Sequence, residues 1–347
     1  MKSKIVIPFL ALGHGINDLL AGYFLGCLAS SSADITRIGL SLLMYNLLAF
    51  GGQYPIAILL ERIGHHQKMI SGAFLLNLGA ALLFFNVPSL AVVMAGIASA
   101  IYHVAGGSVC ASGNKALPIG LFAAPGVAGL IAGGYLAWEQ YALQWPMAGI
   151  CILFLLLLQF VGIPNKVAWH RENAKAEAAT GIHLDKHDLI MILLLLIISL
   201  RSAVWNIFQL LHEQQYDWLL AIALAAFAGK ILGGWLADRI GWKAYTYLSM
   251  IAAAPLISFF RNELLLFCIG IGLLQSGIPA TTALLIRSVN GKKERGIALS
   301  FGAAIILGAF VLVIPQAAFT SSILLPLGLL AIMGLLFWIT DSKKLTH

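Results

Sequence analysis

Gly233-Gly234-Trp235-Leu236-Ala237-Asp238-Arg239-Ile240-Gly241-Trp242-Lys243 ends one apolar run and begins another. Charge enters it abruptly, with Asp238, Arg239 and Lys243 close together. Gly241 permits a tight turn. Gly234, with no side chain, lets a neighbouring helix approach closely. An acid at the end of an apolar helix can accept hydrogen bonds from the N-terminus of another helix, where the dipole favours an anion. The string reads as a short polar loop joining two helices in apolar surroundings.

Outward from this loop, the chain stays apolar. Of its 347 residues, 60% are hydrophobic and 10% charged, with mean hydropathy +0.92. A soluble domain carries about 25% charged residues, so most of this surface must face lipid. A helix needs about 20 apolar residues to span the hydrocarbon, and only helices or closed barrels satisfy the backbone there. The runs are continuous rather than alternating, which favours helices. Twelve spans are predicted, near 5–29, 36–60, 68–86, 89–111, 117–137, 145–163, 188–212, 217–237, 244–260, 263–286, 296–318 and 322–340. The fifth is Gly-rich and the ninth short, so ten or eleven spans stay open. The fold class expected is an all-α polytopic membrane protein.

Residues 164–187 break the apolar pattern with a polar stretch of mixed charge and divide 1–163 from 188–347. The 233–243 loop has an echo in the first part, Ala57-Ile-Leu-Leu-Glu61-Arg62-Ile63-Gly64-His65-His66-Gln67-Lys68. Ala stands for Gly and Glu for Asp, and the acid-Arg-x-Gly core is kept. Two copies at equivalent places indicate a duplicated architecture of two six-helix halves, which is recurrent among transporters. With twelve spans, one set of loops holds seventeen of the Lys and Arg residues, and the other set only Arg37 and Arg261. The basic side is cytoplasmic, so both termini and the 164–187 linker are expected inside a bacterial inner membrane. The net charge of +7 is met by anionic lipid and needs no nucleic-acid partner.

Gly234, Asp238, Arg239, Gly241 and Lys243 fill the fixed places of G-x-L-A-D-R-x-G-x-K/R. The string resembles the loop signature of the major facilitator superfamily. The resemblance implies a secondary transporter, puts this loop between the second and third helices of a half, and gives it a gating role. Glu61 and Arg62 would serve likewise in the first half. Such a latch breaks when the halves rock between inward- and outward-open states.

Ionisable groups at membrane depth are costly and mark functional sites. Here they are His14 and Asp18 in the first span, His103 in the fourth, Arg201 in the seventh and Lys230 in the eighth. Gln275 in the tenth is uncharged at similar depth. His14 and Asp18 share a helix face, as do Arg201, Trp205 and Gln209. Asn17 points about 100° away from that face. In the superfamily, helices one, four, seven and ten line the central cavity, so the resemblance implies that Asp18, His103, Arg201 and Gln275 meet there. Asp18 with His14 is expected to couple protons. Arg201, Lys230 and His103 favour an anionic solute, and either Arg201 or Lys230 would alternatively neutralise Asp18 as a structural ion pair. Lys230 shares its helix with the Asp238 latch, which weakens its claim on the cavity.

His14-Gly-Ile-Asn17-Asp18 and Tyr102-His103 resemble the fosmidomycin resistance branch of the superfamily, which carries His-x-x-Asn-Asp and aromatic-His-Pro-Glu elements. Val104 and Ala105 depart from that branch's Pro and Glu. Gly120-Leu-Phe-Ala-Ala124-Pro125-Gly-Val-Ala128-Gly129 resembles the antiporter signature G-x-x-x-G-P-x-x-G-G, with two Gly-to-Ala changes. The function expected is proton-coupled efflux of a small polar solute by antiport. Uptake by symport is the alternative, and a polytopic membrane transferase using His14 and Asp18 is a third. No G-x-x-x-x-G-K-S/T phosphate loop occurs, so no nucleotide-driven pump is indicated. Neither an enzyme activity nor a cofactor is expected, and the partners are the solute, protons and the bilayer, with a monomer as the working unit. Cys27, Cys110, Cys151 and Cys268 fall in separate spans and read as apolar fillers, so no metal site is expected from them. Lys2 and Lys4 precede the first apolar run as in a cleaved leader, but His14, Asn17 and Asp18 interrupt that run and favour a retained helix.

Overall fold

The computed structural model describes residues 3–31, 35–163, 186–211 and 216–309, with a few positions between 328 and 336. Every element among the described residues is a helix. In chain order they are α1 (Ser3–Ser31), α2 (35–63), α3 (His66–Leu83), α4 (Pro88–Cys110), α5 (Ala116–Trp138), α6 (Gln144–Leu158), α7 (Lys186–Leu211), α8 (Tyr216–Ile240), α9 (Trp242–Phe259), α10 (264–288) and α11 (293–309). Among the described residues six segments are long and apolar enough to cross a membrane: Ile5–Ser30, Gly39–Ile63, Pro88–Gly113, Ala116–Trp138, Asp217–Ile240 and Leu264–Ser288. The expectation of twelve goes further than this. Most of the predicted twelfth span and nearly all of the 164–187 linker lie outside the described residues.

Large apolar side chains such as Leu43, Leu75, Leu156, Leu224 and Leu265 stand exposed, as lipid-facing positions must. Without a hydrophobic force between helices in lipid, close packing has to hold them. The pair α1–α5 shows how. A Cβ at Gly129 would strike the carbonyl of Gly15, and one at Gly133 would strike that of Leu19. The two backbones therefore touch. Beside them, Phe74 stacks on Phe154 at 3.8 Å and Phe9 on Phe154 at 4.5 Å.

Pairings recur along the chain. Helix α1 packs on α5, α2 on α4 and α3 on α4; six elements later α7 packs on α11, α8 on α10 and α9 on α10. Contacts between these groups run through α5 with α8 and α2 with α11. Both α2 and α11 contain a π turn, at Leu47–Gly51 and Leu299–Ala303, and the two turns meet. A π turn displaces the regular ladder of hydrogen bonds. Gln53 Nε2 donates across the contact to the Phe301 carbonyl at 3.0 Å. Helix α10 breaks at Gly277, with Pro279 opening its second part.

Candidate functional site

Helices α1 and α4 bring three polar side chains to one buried point against α5. His14 Nε2 lies 2.9 Å from His103 Nε2 and 3.2 Å from Asp18 Oδ2. The spacing of His14 and Asp18 on α1 is one helical turn, so they project together. Both imidazoles are pinned through their other nitrogen. His14 Nδ1 donates to the Phe122 carbonyl at 2.7 Å, and His103 Nδ1 to the Ser99 carbonyl at 2.8 Å. Phe122 also stacks on the His14 ring at 4.5 Å. His14 and His103 are buried, while the Asp18 side chain keeps 15% of its surface.

Two asparagine amides orient the cluster. Asn17 Nδ2 donates to Asp18 Oδ1 at 2.9 Å, and Asn77 Nδ2 on α3 donates to Asn17 Oδ1 at 2.9 Å. The expectation that Asn17 points away from Asp18 is corrected here. Residues adjacent on a helix diverge at Cβ, but the Asn amide is long enough to fold back onto its neighbour. On the other side, Tyr45 OH donates to Ser99 Oγ at 3.4 Å, beside His103 Nδ1.

The remaining polar positions lie elsewhere. Arg201 is fully buried on α7, and its Nη1 donates to Thr281 Oγ1 on α10 at 3.2 Å. Its Nε and Nη2 have no hydrogen-bond partner among the described residues. The guanidinium fills the space that a side chain at Gly277 would need, where α10 breaks. Lys230 on α8 donates to the Ala123 carbonyl of α5 at 3.3 Å. That carbonyl and the Phe122 carbonyl lie in the turn that Pro125 loosens by removing an amide donor. Among the described residues Asp18 pairs with His14, not with Arg201 or Lys230. The expected structural ion pair of Asp18 with Arg201 or Lys230 is therefore absent from this arrangement, because the guanidinium is turned to α10 and the ammonium to the Ala123 carbonyl. Gln275 is buried on α10. The side chains of Trp205 and Gln209 lie outside the described residues.

At one end of the bundle the helices are fastened by polar clasps. Asp238 Oδ1 and Oδ2 accept the backbone amides of Ala116 and Leu117, the first two residues of α5, at 2.7 and 3.0 Å. Asp238 Oδ1 also accepts from Trp242 Nε1 at 2.9 Å, and Arg287 stacks on the Trp242 ring at 3.9 Å. Gly234 lies against Leu117, where a Cβ would come within 2.8 Å of its Cα. Arg295 at the start of α11 holds Glu61 in a forked pair, with Nε–Oε1 and Nη2–Oε2 both 2.9 Å. Beside it, His66 Nε2 lies 3.2 Å from Glu294 Oε1.

The Major Facilitator Superfamily model matches residues 6–303. The chain belongs to this superfamily. The fold of this facilitator is similar to that of the E. coli fucose:proton symporter in two crystal structures. A variant form matches at 15% identity with TM-score 0.68, covering 96% of each chain. The outward conformation matches at 15% identity with TM-score 0.70, covering 97% of this chain and 96% of that one. A bacterial homologue of the iron transporter ferroportin in an outward-facing state matches at 13% identity with TM-score 0.61, covering 97% and 100%. No curated protein matches the chain. The facilitator is thus a polytopic membrane protein of transporter type, and the family points away from the transferase reading.

Several groups around the site were not singled out from the facilitator's sequence. Asn77 is a lone amide in an apolar run, Tyr45 and Ser99 are ordinary in a helix, and the Phe122 carbonyl has no sequence signature. Trp242 and Arg287 join the Asp238 clasp. Of the basic signature residues, Arg239 lies over the Trp235 ring at 3.8 Å, and Arg62 and Lys243 are exposed.

Proposed function

We propose that this facilitator is a proton-coupled secondary transporter of a small polar solute, built from two six-helix halves, 1–163 and 188–347, with twelve spans. Both termini and the linker face the cytoplasm. The observation that carries this reading is the buried convergence of His14, His103 and Asp18. With both Nδ1 atoms donating to carbonyls, the neutral imidazoles turn unprotonated Nε2 atoms toward each other and toward a carboxylate. A buried set of acceptors without a donor is unfavourable, and a proton shared at this point relieves it. Coupling then consists of loading and unloading that proton as the cavity changes sides.

Efflux by antiport is favoured by the likeness of the 120–129 segment to the antiporter signature and of the His14–Asp18 segment to the fosmidomycin resistance branch. Uptake by symport is the second reading, because Val104 and Ala105 replace that branch's Pro and Glu. Arg201, with two unpartnered nitrogens, favours an anionic group on the solute. The clasps at Asp238 and Glu61 support a gating role for the two loops, since opening that end requires breaking them.

Reconstitution in sealed vesicles with an imposed pH gradient tests the proposal. Asp18→Asn should abolish solute accumulation or expulsion against a gradient while leaving solute binding and exchange in place. Gradient-driven transport in that variant would remove Asp18 from coupling. Arg201→Ala should weaken binding of anionic solutes, read as a smaller rise in melting temperature, and leave neutral solutes unaffected. An equal loss for both would make Arg201 a packing residue.

A further inference from the structure

We propose that His14, His103 and Asp18 form a binding site for a divalent transition-metal ion of the zinc class. Metal-binding histidines donate their second ring N–H to a carbonyl or carboxylate, which fixes tautomer and ring orientation. Both imidazoles here are held in that way, on the Phe122 and Ser99 carbonyls at 2.7 and 2.8 Å. Both free Nε2 lone pairs and the Asp18 carboxylate then converge, with all three ligand atoms within 4.8 Å of one another. A proton between the two imidazoles covers two of the three acceptors, whereas an ion at their centre covers all three.

The two separations from His14 fit with little movement, and His103 Nε2 and Asp18 Oδ2, within 4.8 Å of each other, draw in on the same ion. Zinc–nitrogen bonds of about 2.0–2.1 Å at tetrahedral angles set ligand atoms roughly 3.3 Å apart. The His14–Asp18 separation is 3.2 Å, and the His14–His103 separation of 2.9 Å needs to open by a few tenths of an ångström. Asn17 occupies Asp18 Oδ1, itself steadied by Asn77, and leaves Oδ2 to the cluster. The space is kept open by a missing side chain on α5. A Cβ at Gly126 would lie 2.6 Å from both Asp18 Oδ2 and His14 Nε2. Two imidazoles and one carboxylate suit zinc, cobalt or nickel, while magnesium and calcium call for oxygen ligands.

Three protein ligands leave a fourth position for water or solute, and the partly exposed Asp18 is the side from which an ion enters. A single carboxylate, with Lys230 anchored nearby on the Ala123 carbonyl, makes the hold reversible. An ion that must enter and leave needs such a hold.

The proposal rests on the transporter reading only for access, so binding to the purified full-length protein tests the site by itself. The chain carries no histidine tag in this experiment and is titrated with Co2+ in detergent while its visible absorption is recorded. A single Co2+ should bind with the intense bands of a low-coordinate site, be displaced by Zn2+ and be unaffected by Mg2+. His103→Gln and Asp18→Asn should each lower affinity at least about a hundredfold, because loss of a ligand exceeds the 10–100-fold cost of losing a ligand's supporting contact. Gly126→Ala should do the same with every ligand retained, which guards against a misfolded ligand variant. Absence of saturable Co2+ and Zn2+ binding in the wild type, or binding undiminished in these variants, overturns the proposal. If Asp18→Asn still stops proton-driven transport in that case, the metal site falls alone.

Discussion

The loops at 57–68 and 233–243 share the pattern acid-Arg-x-Gly and end in two different clasps. Both turn at a glycine of positive φ, 67° at Gly64 and 101° at Gly241, which a larger residue adopts only with strain. Both acids reach a helix distant in sequence. Asp238 ends on the backbone amides that begin α5. Glu61, one methylene longer, ends on the side chain of Arg295. The amides are already fixed by their helix and carry its dipole. Glu61 and Arg295 must each give up side-chain freedom to meet, whereas Asp238 orders only itself; water reaches both clasps, since Asp238 is exposed and Glu61 and Arg295 keep 21% and 31% of their surface. Related loops have thus produced one stiff fastening and one yielding fastening at the same end of the molecule.

The largest effect is expected at the stiff one. Asp238→Asn removes the charge and keeps one acceptor oxygen. Two backbone amides are held by this carboxylate, and loss of a hydrogen bond to a charged group costs about 1.5 kcal/mol, so the clasped form should lose roughly tenfold in weight against the open one. Spin-label distances across the clasped end and the transport rate would both register this, with the protein still folded. An unchanged distance distribution and rate would remove Asp238 from gating. Glu61→Gln should shift the balance less, by about two- to fivefold, in line with exposed ion pairs. Its effect should fade at about 1 M salt, where the Asp238 effect should fade only in part, because the hydrogen bond to a fixed backbone amide is lost whatever the salt. If salt erased both effects alike, the two clasps would be of one kind.

The smallest effect concerns acid. Glu294 precedes the predicted eleventh span and is held below the ordinary carboxylate range. Burial pushes its carboxyl up, but the hydrogen bond and charge of His66 and the charge of Lys293 outweigh that. A lowered folded-state value means that its contribution is present above the ordinary carboxylate value and is lost as pH falls through the lowered one. The clasped end should therefore hold through mild acid and loosen only below the ordinary carboxylate range. Opening near neutrality would show that protonation of Glu294 is not what releases this end.

Much of this was legible in the sequence because membranes make charge conspicuous. His14, Asp18 and His103 stand out in apolar runs, and their convergence follows from helices α1 and α4 lying side by side. The loop signature drew the eye to Asp238. Partner choice was less legible. Arg201 looked available to Asp18 by depth alone, yet the break of α10 at Gly277 draws the guanidinium to Thr281. Asn77 and the Phe122 carbonyl escaped notice because an uncharged amide and a backbone oxygen carry no signal until a neighbour turns toward them. Gly126 matters for what it lacks, and only the crossing of α5 over α1 reveals that.

The cap on α5 arrives late. Asp238 lies 122 residues beyond Ala116, and synthesis proceeds from the N-terminus. Until α8 is in place, the first amides of α5 have only water or lipid head groups as partners. A nascent chain halted before that point carries an uncapped helix mouth at the membrane surface, and a finished chain does not. The clasp therefore closes only once α8 has been made, and it ties the start of α5 to a helix synthesised more than a hundred residues later.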